Sequence, residues 1–292
     1  FQMHTTVIIW PESNRGPRRP VIVNFRVVAQ WWDSGSVRVG VAQIRASREL
    51  QETLLLIEEA VSAASAAGVD LVVFPEAAMC SFLRDPQEVA EPLDGPWATR
   101  VSQLARGAGV IVVAGMFTVA DDGRVHNTLL VAGEEAMRYD KIHLFDALGQ
   151  RESDRIAPGK RLVTVDIAGQ RIGLATCYDV RFPNQFLDLA GLGAKIMIVC
   201  ASWAPGTEKL HQWRTLVAAR AMDSTSFVIA VDQAGSDDDV AGVPVGIGHS
   251  MVVGPTGQVL LELGSEPDLA FVDLDIAHVD AARAALPVLE SR

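Results

Sequence analysis

Two periods of hydrophobicity take turns along this chain from Val37 onward. Val37-Arg38-Val39-Gly40-Val41-Ala42-Gln43-Ile44 alternates with period two, which predicts a strand. Ser47 then offers an N-cap to a helix reaching about Ala67, with Leu50, Leu54, Ile57, Val61 and Ala64 on one face and Gly68 as its stop. Leu71-Val72-Val73-Phe74 is apolar throughout, the pattern of a strand covered on both faces. A helix over 97–108 and strands over 110–117 and 128–132 follow. The second half repeats the theme: a strand over 171–176, a helix after Pro183, a strand over 195–200, a helix over 210–222 and a strand over 227–231. A hairpin pairs 250–253 with 258–263 around Pro255-Thr256-Gly257. With no interior break in composition and no solenoid-length repeat, residues 37–292 are expected to form one α/β domain.

Residues 1–36 do not share this pattern, and they read as an N-terminal appendage. Phe1-Gln2-Met3 looks like the scar of a removed tag, residues 11–20 are rich in Pro and Arg, and the stretch is also compatible with a misassigned start. A short apolar hairpin built from 21–25 and 27–32 is the structural alternative. The apolar run at 7–10 is too short for a signal peptide and no small-residue cleavage site follows it.

Composition narrows the partners. At 292 residues and 49% hydrophobic, the chain can bury a large core, and its longest apolar runs fall well short of the ~20 residues a membrane helix needs. A net charge of -11 argues against a nucleic-acid surface, which requires clustered Lys and Arg. The expected partner is a small molecule, with no nucleic acid and no membrane. Three cysteines, an odd number without CxxC spacing, fit a reducing compartment, and the cytoplasm is expected. His and Cys lack metal-ligand spacing, Asp237-Asp238-Asp239 reads as a solvated loop, and Gly246-Ile247-Gly248 as a turn, so no metal and no cofactor are expected.

Three groups carry candidate chemistry. Cys177 closes an apolar strand and opens a polar, Pro-bounded segment, where a sharp turn exposes a nucleophile and frees the next backbone N–H groups for an oxyanion; a buried packing role is the alternative. Glu76 follows another strand end through Pro75, and Lys141 is interposed between aromatic and aliphatic residues in Tyr139-Asp140-Lys141-Ile142-His143-Leu144-Phe145. Singly, a Glu after Pro is an ordinary helix-start residue and a Lys at a strand end ordinarily snorkels. Jointly, they supply what amide hydrolysis needs. Glu76 would take the thiol proton as sulfur attacks the carbonyl, the Lys141 ammonium and the Tyr178 backbone N–H would hold the oxyanion, and the carboxylate would then activate water against a thioester. A Cys–His hydrolase using His143, His211 or His249 is the rival arrangement.

Phe74-Pro75-Glu76, the Lys141 segment and Cys177-Tyr178-Asp179-Val180-Arg181-Phe182-Pro183, in that order, resemble the nitrilase superfamily of carbon-nitrogen hydrolases. The likeness runs over about residues 37–290 and takes in Trp213-Arg214-Thr215 and Gly248-His249-Ser250-Met251. It implies a four-layer α-β-β-α sandwich, a homodimer or larger homo-oligomer, and a Glu76–Lys141–Cys177 triad. It also implies that Glu152 is a second glutamate ordering the lysine and the substrate.

Within the family, Cys177-Tyr178-Asp179 departs from the Cys-Trp-Glu common in nitrile-hydrolysing members and resembles the branch of ω-amidases and deaminated glutathione amidases. That likeness implies an amidase acting on a small linear amide and releasing ammonia. Hydrolysis of N-carbamoyl amines by the same triad, nitrilase activity and a non-catalytic binding role are the alternatives. Arg181 is a candidate for binding a substrate carboxylate or for a structural ion pair, and Trp203 for lining the pocket or for packing. Asn184 stands where the branch usually has Glu, and Cys80 is unusual after Glu76; both bear on the substrate more than on the reaction class.

Overall fold

A computed structural model of the chain describes residues 4–9, 21–28, 35–235 and 243–291, the first two stretches as backbone only. In chain order the elements are β1 (His4–Ile9), β2 (Val21–Val28), β3 (Ser36–Gln43), α1 (Leu50–Ala66), β4 (Leu71–Val73), α2 (Pro86–Val89), α3 (Pro96–Ala108), β5 (Ile111–Val119), β6 (Val125–Ala132) and β7 (Met137–Asp140). There follow β8 (Thr164–Ile167), β9 (Gln170–Thr176), α4 (Pro183–Gly191), β10 (Ile196–Ala201), α5 (Lys209–Ser224), β11 (Phe227–Asp232), β12 (Met251–Val253), β13 (Val259–Glu262), β14 (Asp268–Asp275) and α6 (Ala277–Ala285).

The strands form two sheets, ordered β1-β2-β14-β3-β4-β5-β6-β7 and β13-β12-β11-β10-β9-β8. Period two within the strands decides what lies between them. Leu71 and Val73 pack into the same core as Ile196, Ile198, Phe227 and Ile229, so one face of each sheet meets the other. The alternate residues Val72 and Phe74 face α1 and α3, while Met197, Val199, Val228 and Ala230 face α4 and α5. The layers therefore run helix, sheet, sheet, helix, the α-β-β-α sandwich that the resemblance implies. Burying each such aliphatic side chain contributes about 1.5–3 kcal/mol against exposure, and a one-residue slip of a strand would exchange its two faces, so register is strongly fixed.

Two details differ from the sequence reading. The first helix begins at Leu50 with Glu49 as its N-cap, not at Ser47. The Ser47 hydroxyl instead links the preceding loop to the first helical turn, accepting from the Glu49 N–H at 3.1 Å and donating to the Glu52 carboxylate at 2.5 Å. Helix α6 and strand β8 were not read from the sequence at all. Of the N-terminal expectations, β1 and β2 pair antiparallel and β2 continues onto β14, whereas Phe1-Gln2-Met3, residues 10–20 and residues 29–34 lie outside the described residues. So does the acidic run Asp237-Asp238-Asp239.

Candidate active site

Four strands deliver polar groups to one edge of the sandwich. Cys177 directly follows β9, Lys141 directly follows β7, Ser202 directly follows β10, and Glu76 lies three residues beyond β4. Cys177 sits at φ +46°, in the left-handed region that a non-glycine residue enters at a cost of about 1–3 kcal/mol, and opens a tight 3-10 turn over Cys177–Arg181. Buried Asp179 holds that bend. Its carboxylate accepts from the Thr176 N–H at 2.8 Å, the His143 N–H at 2.9 Å and the Tyr139 hydroxyl at 2.5 Å, tying the nucleophile's turn to the segment that carries Lys141. The backbone around Glu76 is seated against Gly115 of β5, where an added Cβ would stand 2.4 Å from the Ala77 nitrogen. Glycine is needed there because the two backbones touch.

Every oxygen of the two central carboxylates has a donor. Glu76 Oε1 accepts from Asn127 Nδ2 at 2.6 Å and from Lys141 Nζ at 3.1 Å, and Glu76 Oε2 from the Ser202 N–H at 2.7 Å. Glu152 Oε1 accepts from Lys141 Nζ at 3.0 Å, while its Oε2 accepts from the Phe145 N–H at 2.6 Å. Burial works against the Lys141 ammonium, yet Glu152 and Glu76 outweigh it and hold its pKa well above the usual lysine range. The Cys177 thiol is also raised, for different reasons. Burial, seconded by the charge of the Glu76 carboxylate, pushes its pKa well above normal, and Lys141 only partly offsets them; the thiol's hydrogen bond goes to the Ser202 carbonyl at 3.9 Å. The ammonium supplied by Lys141 thus does not by itself bring the thiol below its ordinary pKa.

These groups form the inner end of a cavity of about 550 Å³ whose lining includes Phe145, Tyr178, Arg181, Trp203 and Lys209. That size suits a small-molecule ligand. Trp203 both lines the cavity and packs: it is 4% exposed, its ring centroid lies 5.3 Å from that of Trp213, and its indole N–H donates to the Lys209 carbonyl at 3.0 Å. The ion-pair role considered for Arg181 is not found among the described residues. Its guanidinium donates to the neutral Gln212 amide at 2.6 Å and lies 5.2 Å from the Trp203 ring.

All the residues singled out from the sequence, Glu76, Lys141, Glu152, Cys177, Tyr178, Arg181 and Trp203, line this one cavity. No histidine does among the described residues; His143 instead stacks on Phe182 and directs Nδ1 to Asp179 at 2.9 Å, which removes the structural basis for a Cys–His pair. The sequence reading missed Asn127, Asp179 and Lys209. The Asp of Cys177-Tyr178-Asp179 was the one available signal, since a carboxylate two residues after a turning nucleophile is well placed to accept backbone N–H groups. Cys80 and Cys200 are buried away from the cavity, and burial pushes the Cys80 thiol up to about 11.

A model of the carbon-nitrogen hydrolase family matches residues 38–284. This chain belongs to the carbon-nitrogen hydrolase family. A Mycobacterium tuberculosis relative described as a hydrolase is 45% identical over 267 residues, spanning 88% of this chain and 95% of its own. The deaminated glutathione amidase of Escherichia coli O157:H7 is 33% identical over 230 residues, spanning 77% of this chain and 85% of its own. Among solved structures, an amidase from Nesterenkonia sp. superposes with a TM-score of 0.72 at 29% identity, covering 87% of this chain and 96% of that one. Membership makes this carbon-nitrogen hydrolase an enzyme, and none of its described helices is long and apolar enough to cross a membrane.

Proposed function

We propose that this carbon-nitrogen hydrolase is a thiol amidase that converts a small linear amide to a carboxylic acid and ammonia. The observation that carries the reading is the meeting, in the lining of one ligand-sized cavity, of one thiol, a carboxylate whose charge acts on it and one ammonium shared by two carboxylates. Kinship with proteins named amidases supports it.

The steps follow from the contacts. Glu76 accepts the Cys177 proton as sulfur bonds to the carbonyl carbon, and the negative charge passes to the carbonyl oxygen. The Lys141 ammonium and the Tyr178 N–H stabilise that oxyanion; at the start of a helical turn such N–H groups lack a partner within the turn. As the tetrahedral species collapses, protonated Glu76 gives its proton to the amide nitrogen, the C–N bond breaks, and ammonia leaves an acyl thioester. Glu76 then takes a proton from water, hydroxide adds to the thioester, the C–S bond breaks and the thiol is re-protonated. Asn127 and Ser202 orient Glu76, and Glu152 holds Lys141 from the opposite side.

Ammonia release from a panel of linear amides, N-carbamoyl amines and nitriles tests this for the wild type beside Cys177→Ala. Release from amides alone, abolished in the variant, is the expected outcome. Undiminished turnover by Cys177→Ala would exclude the mechanism, and preferential turnover of carbamoyl compounds would exclude the substrate class.

A further inference from the structure

The turn that leaves β10 meets the reaction centre with three groups at once. The Ser202 N–H donates to Glu76 Oε2 at 2.7 Å, the Ser202 carbonyl accepts from the Cys177 thiol at 3.9 Å, and Trp203 lines the cavity. What aims them lies behind. Asp232, the last residue of β11, is fully buried, and its carboxyl is held by backbone groups: Oδ1 accepts from the Trp203 N–H at 2.7 Å and Oδ2 from the Ile247 N–H at 2.9 Å. Burial pushes the pKa of this carboxyl well above the usual range, against the pull of those two N–H groups. Keeping a carboxyl there costs stability, and what it achieves is geometric. In a trans peptide the N–H and the carbonyl point in opposite directions from one rigid plane. The Trp203 N–H and the Ser202 carbonyl belong to the same peptide, so holding the first on Asp232 directs the second at the Cys177 sulfur. The segment across the cavity is tied to the same point, because Asp232 anchors Ile247 and Ser202 Oγ donates to the carbonyl of cavity-lining Pro244 at 2.7 Å.

Resting on the amidase reading of this cavity, we infer that Asp232 is a positioning residue: through the peptide between Ser202 and Trp203 it aims a carbonyl at the nucleophile and an N–H at the base, and so fixes the path along which Cys177 passes its proton to Glu76. It does not line the cavity and acts only through these neighbours. Ser250 supplies a contrast within the same buried network. Its Oγ accepts from the Asp232 backbone N–H at 3.0 Å and leaves the carboxyl untouched.

Asp232→Asn, Asp232→Ser and Ser250→Ala, compared with the wild type for amide turnover and for iodoacetamide labelling of each cysteine, test this. Asparagine offers an acceptor to only one of the two N–H groups, and its kcat should fall about tenfold or more with KM changed less than about threefold. Labelling of Cys177 should move the opposite way. A carbonyl that accepts from the thiol favours the protonated form, so once it is misaimed Cys177 should react about threefold faster at pH 7, while Cys80 and Cys200 stay slow. Unfolding would instead speed all three. Asp232→Ser should behave like the asparagine variant, and Ser250→Ala like the wild type in both readouts. Wild-type kcat and labelling in both Asp232 variants would overturn the inference, as would equal changes in Ser250→Ala, or near-ultraviolet circular dichroism showing both Asp232 variants unfolded, which would make the carboxyl a determinant of folding alone. A wild type that releases no ammonia from any amide, with Cys177 labelling still shifted by Asp232→Asn, would leave the positioning role standing and remove the amidase reading. Cys177-dependent amide turnover with unaltered Asp232 variants would do the reverse.

Discussion

The inner and outer halves of one cavity solve opposite electrostatic problems. Inside, a single ammonium is buried between two carboxylates whose remaining oxygens are satisfied by Asn127, Ser202 and Phe145, so the cluster is complete without a ligand. Outside, Arg181 and Lys209 stand together with aromatic rings and an amide for company. A completed cluster is organised before the substrate arrives, which is what a reaction centre gains from low dielectric and fixed dipoles. Arg181 and Lys209, with no carboxylate paired to them among the described residues, leave the outer half open to a partner. Variants of the inner half should therefore act on kcat, and variants of the outer half on discrimination.

Lys141→Met should break the contrast most severely. On the proposed mechanism it removes one oxyanion donor, worth about 10²- to 10³-fold in kcat, and it leaves buried Glu76 and half-buried Glu152 without their shared counter-charge. Breaking such a buried pair costs about 3–5 kcal/mol, which chemical denaturation should register. Asp179→Asn comes next. It touches no substrate, but it replaces the carboxylate that fixes Thr176, Tyr139 and the His143 segment, so it should lower kcat by up to about 10²-fold through misplacement while changing KM little. A Tm loss with kcat preserved would reduce Asp179 to a purely structural role.

Smaller in effect but sharper in meaning is the pH dependence of Cys177 alkylation in the free enzyme. Because burial and Glu76 raise this thiol above its ordinary value, its thiolate fraction, and with it the iodoacetamide rate, should keep climbing through pH 8 to 9. A plateau already reached at pH 7 would mean a thiolate stabilised by Lys141, and the inner half would then have to be redrawn as an ion pair. Cys80 and Cys200, both buried, should label more slowly than Cys177 at every pH in the folded protein.

Much of this was readable in the sequence because the information was local. Long apolar runs such as Leu71-Val72-Val73-Phe74 announce a strand covered on both faces, and groups placed just past such runs, Glu76 and Cys177, fall on the sheet edge by geometry alone. The Thr164–Ile167 strand alternates polar and apolar residues, but four positions are too few for that period to stand out from its surroundings. Ser47 misled because its hydroxyl had a nearer use than capping. What escaped entirely was contact across distance. Asn127 lies 51 positions from Glu76 in sequence, and Lys209 owes its significance to Phe145 and Trp203, which only the folded chain brings beside it.

The proposed thioester can be caught directly by rapid acid quench of a single turnover with a small amide, followed by intact and peptide mass spectrometry. The mechanism requires a mass gain equal to the amide less ammonia, carried by the peptide containing Cys177 and absent in Cys177→Ala. Acylation of a different residue, or undiminished turnover without Cys177, would contradict it.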